Sequence, residues 1–76
     1  MEKFTLADVS DIVEVPTHVI LYWETEFLQI KAKKDEFRQR VYTQKDLDVI
    51  MHIKYVLFEK RYSIAATKIE LAKEFD

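Results

Sequence analysis

The sequence contains no glycine and no cysteine, and its only proline is Pro16. Without cysteine, the chain forms no disulfides and no thiolate metal sites. Without glycine, it cannot build the glycine-rich loops that cradle phosphates in nucleotide-binding enzymes. Turns must instead use residues such as Asp, Lys and Arg. These absences favour a mostly helical domain with few tight turns.

Long apolar runs are also lacking, since none approaches the roughly 20 residues that span a bilayer. Residues 1–5 do not have the apolar core of a secretory signal. Of the 76 residues, 49% are hydrophobic and 34% are charged, which is typical of one small globular domain. We therefore expect a cytoplasmic protein with no membrane partner.

Groups that would carry chemistry are sparse and scattered. The only histidines, His18 and His52, are far apart in sequence, and neither has a partner at metal-ligand spacing. Glu24 and Glu26 are two positions apart and so lie on different sides of a helix, where they cannot share a proton. We expect no catalysis, no metal site and no cofactor.

Charge is unevenly distributed although the net charge is only −2. Residues 1–30 contain one lysine and six acidic residues, whereas residues 31–45 contain six basic and two acidic residues. The basic residues of that segment are Lys31, Lys33, Lys34, Arg38, Arg40 and Lys45. Local positive charge attracts phosphate, which suggests nucleic acid. A solvated, lysine-rich loop is the alternative interpretation.

Apolar periodicity predicts four helices, at about residues 5–14, 17–27, 44–60 and 63–75. Thr5 with Asp8, and Thr43 with Asp46, have the spacing of capping boxes, while Thr17 and Ser63 are candidate caps. The expected buried stripe of the first helix is Leu6, Val9, Ile12 and Val13. In the second helix, Ile20, Trp23, Glu24 and Phe27 share one broad face.

The first two helices flank Pro16, and a strand pair is predicted before the third helix. Two short helices joined by a turn of a few residues form a helix-turn-helix. Polar and apolar residues alternate over 28–33 and 37–42, with a charged loop between them. The pattern therefore predicts a helix-turn-helix followed by a β-hairpin wing at about 28–42.

This order of motifs resembles the DNA-binding domain of the MerR family of transcriptional regulators over about residues 4–71. Residues 19–24, Val-Ile-Leu-Tyr-Trp-Glu, are similar to the family's second-helix pattern Thr-Leu-Arg-Tyr-(Tyr/Trp)-Glu. The wing pattern and the following Asp-Leu are matched by Arg40, Tyr42, Thr43, Asp46 and Leu47. A later family segment is matched by Ile53, Tyr62, Ser63 and Ile64.

The resemblance implies a mainly α fold with a small β-hairpin, a MerR-like winged helix-turn-helix with four helices. It also implies a sequence-specific transcriptional regulator that binds double-stranded DNA. The second helix would enter the major groove and the wing would lie on the phosphate backbone. The implied DNA-binding residues are Thr17, His18, Tyr22, Lys31, Lys33, Lys34, Arg38, Arg40 and Tyr42. Of these, Arg40, Tyr42 and Tyr22 would contact the backbone, and the lysines with Arg38 would add salt-sensitive attraction.

The chain departs from the family pattern at several positions. Leu21 stands where the family has a recognition-helix arginine, Thr25 where a basic residue is frequent, and Arg38 and Arg61 where it has glycines. The second helix consequently contains two glutamates and no Lys or Arg. Two alternatives therefore stay open: a protein-interaction module on the same fold, and an excisionase-like DNA architectural factor.

Some residues also have purely structural interpretations. Tyr22 and Tyr42 have the character of half-buried aromatics, and Arg40 has Glu24 as a candidate ion-pair partner. A homodimer or a complex with another protein is a further expectation, with Leu21, together with Met51 or Phe75, as the candidate contact.

Overall fold

The computed structural model describes residues 2–75, which form four α-helices and one antiparallel hairpin. In chain order these elements are α1 (Leu6–Val13), α2 (Thr17–Glu26), β1 (Lys33–Lys34), β2 (Arg40–Val41), α3 (Gln44–Lys54) and α4 (Ile64–Phe75). A π-helical turn at Tyr55–Glu59 continues α3. The predicted fold class, mainly α with a small β-hairpin, is confirmed.

Helix α1 begins with the predicted capping box. The Thr5 hydroxyl accepts a hydrogen bond from the Asp8 N–H at 3.0 Å, and the Asp8 carboxylate accepts one from the Thr5 N–H at 3.0 Å. Val9 and Val13 are buried, but Ile12 is 47% exposed, so the predicted stripe is wrong at this residue. Val9 and Val13 are four positions apart and lie on the side of α1 that packs on α3, whereas Ile12 lies beside them.

The turn between α1 and α2 shows how the chain manages without glycine. Glu14 ends α1 in the left-handed region at φ 57°, where glycine usually stands. Pro16 occupies the N-cap position of α2, and no side chain caps this helix. The predicted capping role of Thr17 is therefore wrong, because Thr17 is already the first helical residue.

Helix α2 buries the face that its sequence predicts. Ile20, Trp23 and Phe27 are at most 2% exposed and pack into the core. Polar contacts with α3 and α4 also hold the helix-turn-helix in place. The Lys54 ammonium donates to the Val13 carbonyl at 2.7 Å, and Lys68 pairs with Glu26 at 3.1 Å.

The hairpin is shorter than the predicted strands at 28–33 and 37–42. Lys33 pairs with Val41 and Lys34 with Arg40. The preceding backbone is held differently, because the Lys31 N–H donates to the Asp46 carboxylate at 2.8 Å rather than to a strand. On the other side, backbone hydrogen bonds of 2.8 Å in both directions join Phe4 to Tyr42 and attach the amino-terminal segment to the hairpin.

Helix α3 starts at the predicted Thr43–Asp46 capping box. The predicted helix over 44–60 differs only in its last turn, where the Lys60 N–H bonds to the Tyr55 carbonyl, five residues back. Arg61 then takes a left-handed conformation at φ 58°. The Ser63 hydroxyl accepts from the Ala66 N–H at 3.1 Å, as its predicted capping role requires.

The core lies between α1, α2, α3 and α4, beneath the hairpin. Its fully buried side chains include Val9, Ile20, Phe27, Tyr42, Val49, Ile50, Ile53, Val56 and Leu71. Within residues 2–75, no helix has both the length and the apolar character required to cross a membrane.

Candidate nucleic-acid interface

Helix α2 presents polar and aromatic side chains on the side opposite its core contacts. We call this side the reading face; it consists of His18, Leu21, Tyr22 and Thr25. His18, Tyr22 and Thr25 are exposed, with Tyr22 at 50%, and Leu21 is half-buried. Thr17 is also exposed, at the amino end of the helix. The residues expected to meet DNA from α2 are therefore all accessible.

The same helix is tied to the hairpin by one carboxylate. Glu24 accepts a hydrogen bond from Arg40 Nη1 at 2.6 Å through Oε1, and one from the Tyr42 hydroxyl through Oε2. We call these three residues the Glu24 cluster. The side chain of Glu24 is 12% exposed and that of Arg40 is 39% exposed. The anticipated pairing of Arg40 with Glu24 is thus confirmed, and the Arg40 side chain remains partly exposed.

Tyr42 lies in the core rather than at the surface. It is 0% exposed and its hydroxyl is bonded to Glu24, so the expected phosphate contact from this side chain is contradicted. Burial, and secondly the hydrogen bond to Glu24, raise the pKa of Tyr42 well above its ordinary value of 10.0. Tyr42 therefore acts as a support that holds Glu24 in place.

The hairpin divides the basic residues between two faces, because successive strand side chains point to opposite sides. Lys34 is paired with Arg40 and shares its face, whereas Lys33 is paired with Val41 on the other face. That outer side borders a shallow cavity of ≈ 320 Å³ lined by Lys3, Lys31, Lys33, Lys34, Asp35, Val41 and Thr43. All three lysines expected to act together thus line this cavity, although the strand register places Lys33 and Lys34 on opposite faces of the hairpin.

The tip of the hairpin is a tight turn organised by Asp35. Its carboxylate accepts hydrogen bonds from the Phe37 N–H at 2.8 Å and the Gln39 N–H at 3.0 Å, and its carbonyl accepts one from the Arg38 N–H at 3.0 Å. Arg38 has φ 62°, so it adopts the geometry for which glycine is preferred. Arg38 is exposed, and Phe37 beside it is 75% exposed.

Sequence reasoning missed two contributors to this surface. Asp46 was expected only as a helix cap, but it also anchors the Lys31 backbone at the entry to the hairpin. Phe37 was expected only as a strand residue, although a large apolar residue next to a charged loop is itself a signal of exposure. Over residues 2–75, no group of three His, Asp or Glu is arranged to hold a metal ion.

The family model described as MerR HTH family regulatory protein matches residues 4–74. No curated protein matches the chain. Among solved structures, it is similar to HiNmlR, a MerR family regulator lacking the sensor domain, in a crystal structure with promoter DNA. The TM-score is 0.73 at 21% identity, over 99% of this chain and 60% of the HiNmlR chain, and this likeness shows a shared fold.

Proposed function

Because the chain belongs to the MerR HTH family of regulatory proteins, we propose that it is a sequence-specific DNA-binding transcriptional regulator. Helix α2 enters the major groove through its reading face, and the hairpin lies as a wing along the neighbouring phosphate backbone. The Glu24 cluster is the observation that carries the proposal, since it fixes the wing relative to α2.

Arg40 is the main backbone contact in this proposal. A guanidinium has several N–H groups in a planar fork, and the hydrogen bond to Glu24 uses the Nη1 end. The exposed remainder is available for a charge-assisted bond to a phosphate oxygen. Because Glu24 already holds the side chain in one orientation, less conformational entropy is lost on binding than for a free arginine.

The two glutamates of α2 pose the main electrostatic objection, because carboxylates repel phosphate. Both have cationic partners: Glu24 pairs with Arg40 at 2.6 Å and Glu26 pairs with Lys68 at 3.1 Å. These pairs reduce the negative potential of the helix near DNA. The absence of Lys and Arg from α2 is therefore compatible with docking guided by the wing.

The amino end of α2 supplies a further attraction. No acidic residue lies in its first turn and no side chain caps it. The N–H groups of Thr17 and His18 precede the first intrahelical hydrogen bonds, which begin at Val19 and Ile20. Such N–H groups, together with the helix dipole, favour a phosphate at this position. Base edges would then be read by His18 and Thr25, and the Tyr22 hydroxyl would contact the phosphate backbone.

A protein-interaction module is the second candidate. Met51, Tyr55 and Phe58 are 49%, 52% and 56% exposed and follow one another at i, i+4 and i+7 along α3 and its π-helical continuation. A group of exposed apolar side chains of this kind is typical of a protein contact. It lies on a different element from the reading face, so DNA binding and a protein contact are compatible.

The proposal is tested by fluorescence anisotropy with labelled duplex DNA, followed by selection from a random duplex library. Binding should weaken steeply between about 50 and 200 mM salt, and the selected duplexes should share a motif. Absence of binding at the lower salt concentration would contradict DNA binding. Binding without an enriched motif would contradict the sequence-specific part and favour the architectural alternative.

A further inference from the structure

Phe37 occupies the apex of the hairpin turn, and the proposed function does not use it. The side chain is 75% exposed, although an aromatic ring of this size gains free energy when it is removed from water. The ring is therefore free to make an apolar contact at the turn of the wing.

The backbone beneath this ring is fixed. The Phe37 N–H donates to the Asp35 carboxylate at 2.8 Å, and the following Arg38 N–H donates to the Asp35 carbonyl at 3.0 Å. The Gln39 N–H bonds to the same carboxylate oxygen as Phe37. A side chain carried on a turn held in this way is presented without a large loss of loop entropy on binding.

We infer that Phe37 is an apolar wedge that enters the minor groove next to the major groove occupied by α2 and partly unstacks one base step there. This inference rests on the proposed function. Apolar side chains such as Phe, Leu and Met inserted between base pairs kink the duplex, and the added contact offsets the cost of unstacking.

Charge around the apex favours DNA as the occupant. Lys34, Arg38 and Arg40 flank the turn, and a narrow minor groove attracts such cations. The two acidic residues of the turn differ in their environment. Asp35 accepts two N–H groups through its carboxylate, which disperses its charge. Glu36 is exposed. Because its carboxylate repels phosphate, insertion of Phe37 requires Glu36 to point towards solvent beside the groove.

The geometry of the wing agrees with this placement. The minor groove of B-DNA is about 6 Å wide, which admits a single side chain from a hairpin tip but not a helix. With α2 in the major groove and Arg40 at the backbone between the grooves, the tip of the same hairpin reaches the next groove. The three contacts thus follow one another across the duplex.

The experiment uses duplexes carrying 2-aminopurine at single positions, because the fluorescence of this base rises when it is unstacked. The wild-type chain should raise the fluorescence at one step, and Phe37→Ala should abolish the rise and weaken binding about tenfold, the size of one stacking contact. Phe37→Leu should retain most of both effects, since it keeps an apolar wedge. Ile69→Ala, which removes an apolar side chain 62% exposed on α4, is the matched control and should change neither.

The outcomes separate the wedge from the function on which it rests. If the wild-type chain binds duplex DNA but no 2-aminopurine position responds, the wedge is wrong and the proposed function stands. The same holds if Phe37→Ala binds and unstacks as the wild type does. Absence of duplex binding by the wild type overturns both. Thermal unfolding of each variant checks that the fold is retained, as expected for an exposed side chain.

Discussion

The carboxylate of Glu24 on α2 accepts a hydrogen bond from the guanidinium of Arg40 on β2 at 2.6 Å, across 16 positions of sequence. Tyr42 approaches the second oxygen of the same carboxylate from the core. This pair sets the wing relative to the recognition helix. An arginine that is at once held by the protein and partly exposed is suited to contact a phosphate at one defined position.

Arg40→Ala should weaken binding of duplex DNA by roughly 1–3 kcal/mol, because it removes a charge-assisted phosphate contact. Fluorescence anisotropy at constant salt measures the change. Lys73→Ala is the matched control, since it removes one exposed positive charge near the end of α4. Equal losses of affinity in the two variants would show that Arg40 contributes only to net charge.

Lys34 and Lys33 should differ in their contribution to binding, because they lie on opposite faces of the hairpin. The slope of log K against log salt is negative for a DNA-binding protein. Lys34→Ala should reduce the magnitude of this slope by about 1, the value for one lost phosphate contact. Lys33→Ala should reduce the magnitude of the slope by less. Anisotropy titrations at several salt concentrations give both slopes, and a larger effect for Lys33 would place the outer face of the wing against DNA.

Arg61→Gly should stabilise the fold. Arg61 has φ 58°, a conformation that costs a non-glycine residue about 1–2 kcal/mol. Glycine removes this cost but loses about 0.5–1 kcal/mol to its greater freedom when unfolded. We expect a net gain of up to about 1.5 kcal/mol. Arg61→Ala is the control, because it removes the side chain but keeps the Cβ atom. Urea unfolding should show that Arg61→Gly is more stable than Arg61→Ala, and equal stability of the two would contradict this account.

Tyr42 should make stability fall at alkaline pH. Its pKa in the folded state lies above the value of 10.0 expected when unfolded, chiefly because of burial. Its contribution to stability is therefore complete below pH 10.0 and is lost as the pH rises through the folded-state pKa. This loss has a limiting slope of about 1.4 kcal/mol per pH unit.

Tyr42→Phe lacks this titration, so its free energy of unfolding should fall less steeply above pH 10.0 than that of the wild type. At pH 8 the variant should be the less stable of the two, because a Glu24 oxygen loses its donor. Urea unfolding over this pH range gives both curves. Parallel curves for the wild type and the variant would contradict the assignment of the alkaline loss of stability to Tyr42.

Features that depend on neighbouring residues could be predicted from the sequence. Thr5 with Asp8 and Thr43 with Asp46 form capping boxes because each pair is only three positions apart. Arg38 stands where the family has a glycine, and a glycine site marks a backbone geometry rather than a partner. Arg38 has the positive φ, 62°, that such a site favours. The order of helices and hairpin followed from such local signals.

Apart from the Arg40–Glu24 pair, features that depend on distant partners were not predicted. The family resemblance implied a DNA contact for Tyr42, with a half-buried aromatic as the alternative. Its actual partner, Glu24, is 18 positions away, and no local pattern links the two. The strand predicted from residue 28 is short because Asp46, 15 positions beyond Lys31, captures its N–H. In both cases a side chain supplied by another element decides where the residue lies.

The most direct test of the central claim is a chemical-shift titration of the isotope-labelled chain with duplex DNA at low salt. We expect the largest changes at residues 17–25 of α2 and residues 31–41 of the wing, including the Arg40 side chain, with small changes on α4. Absence of shifts at millimolar duplex, or changes confined to the exposed Met51, Tyr55 and Phe58, would contradict the claim that α2 and the wing form a DNA-binding surface.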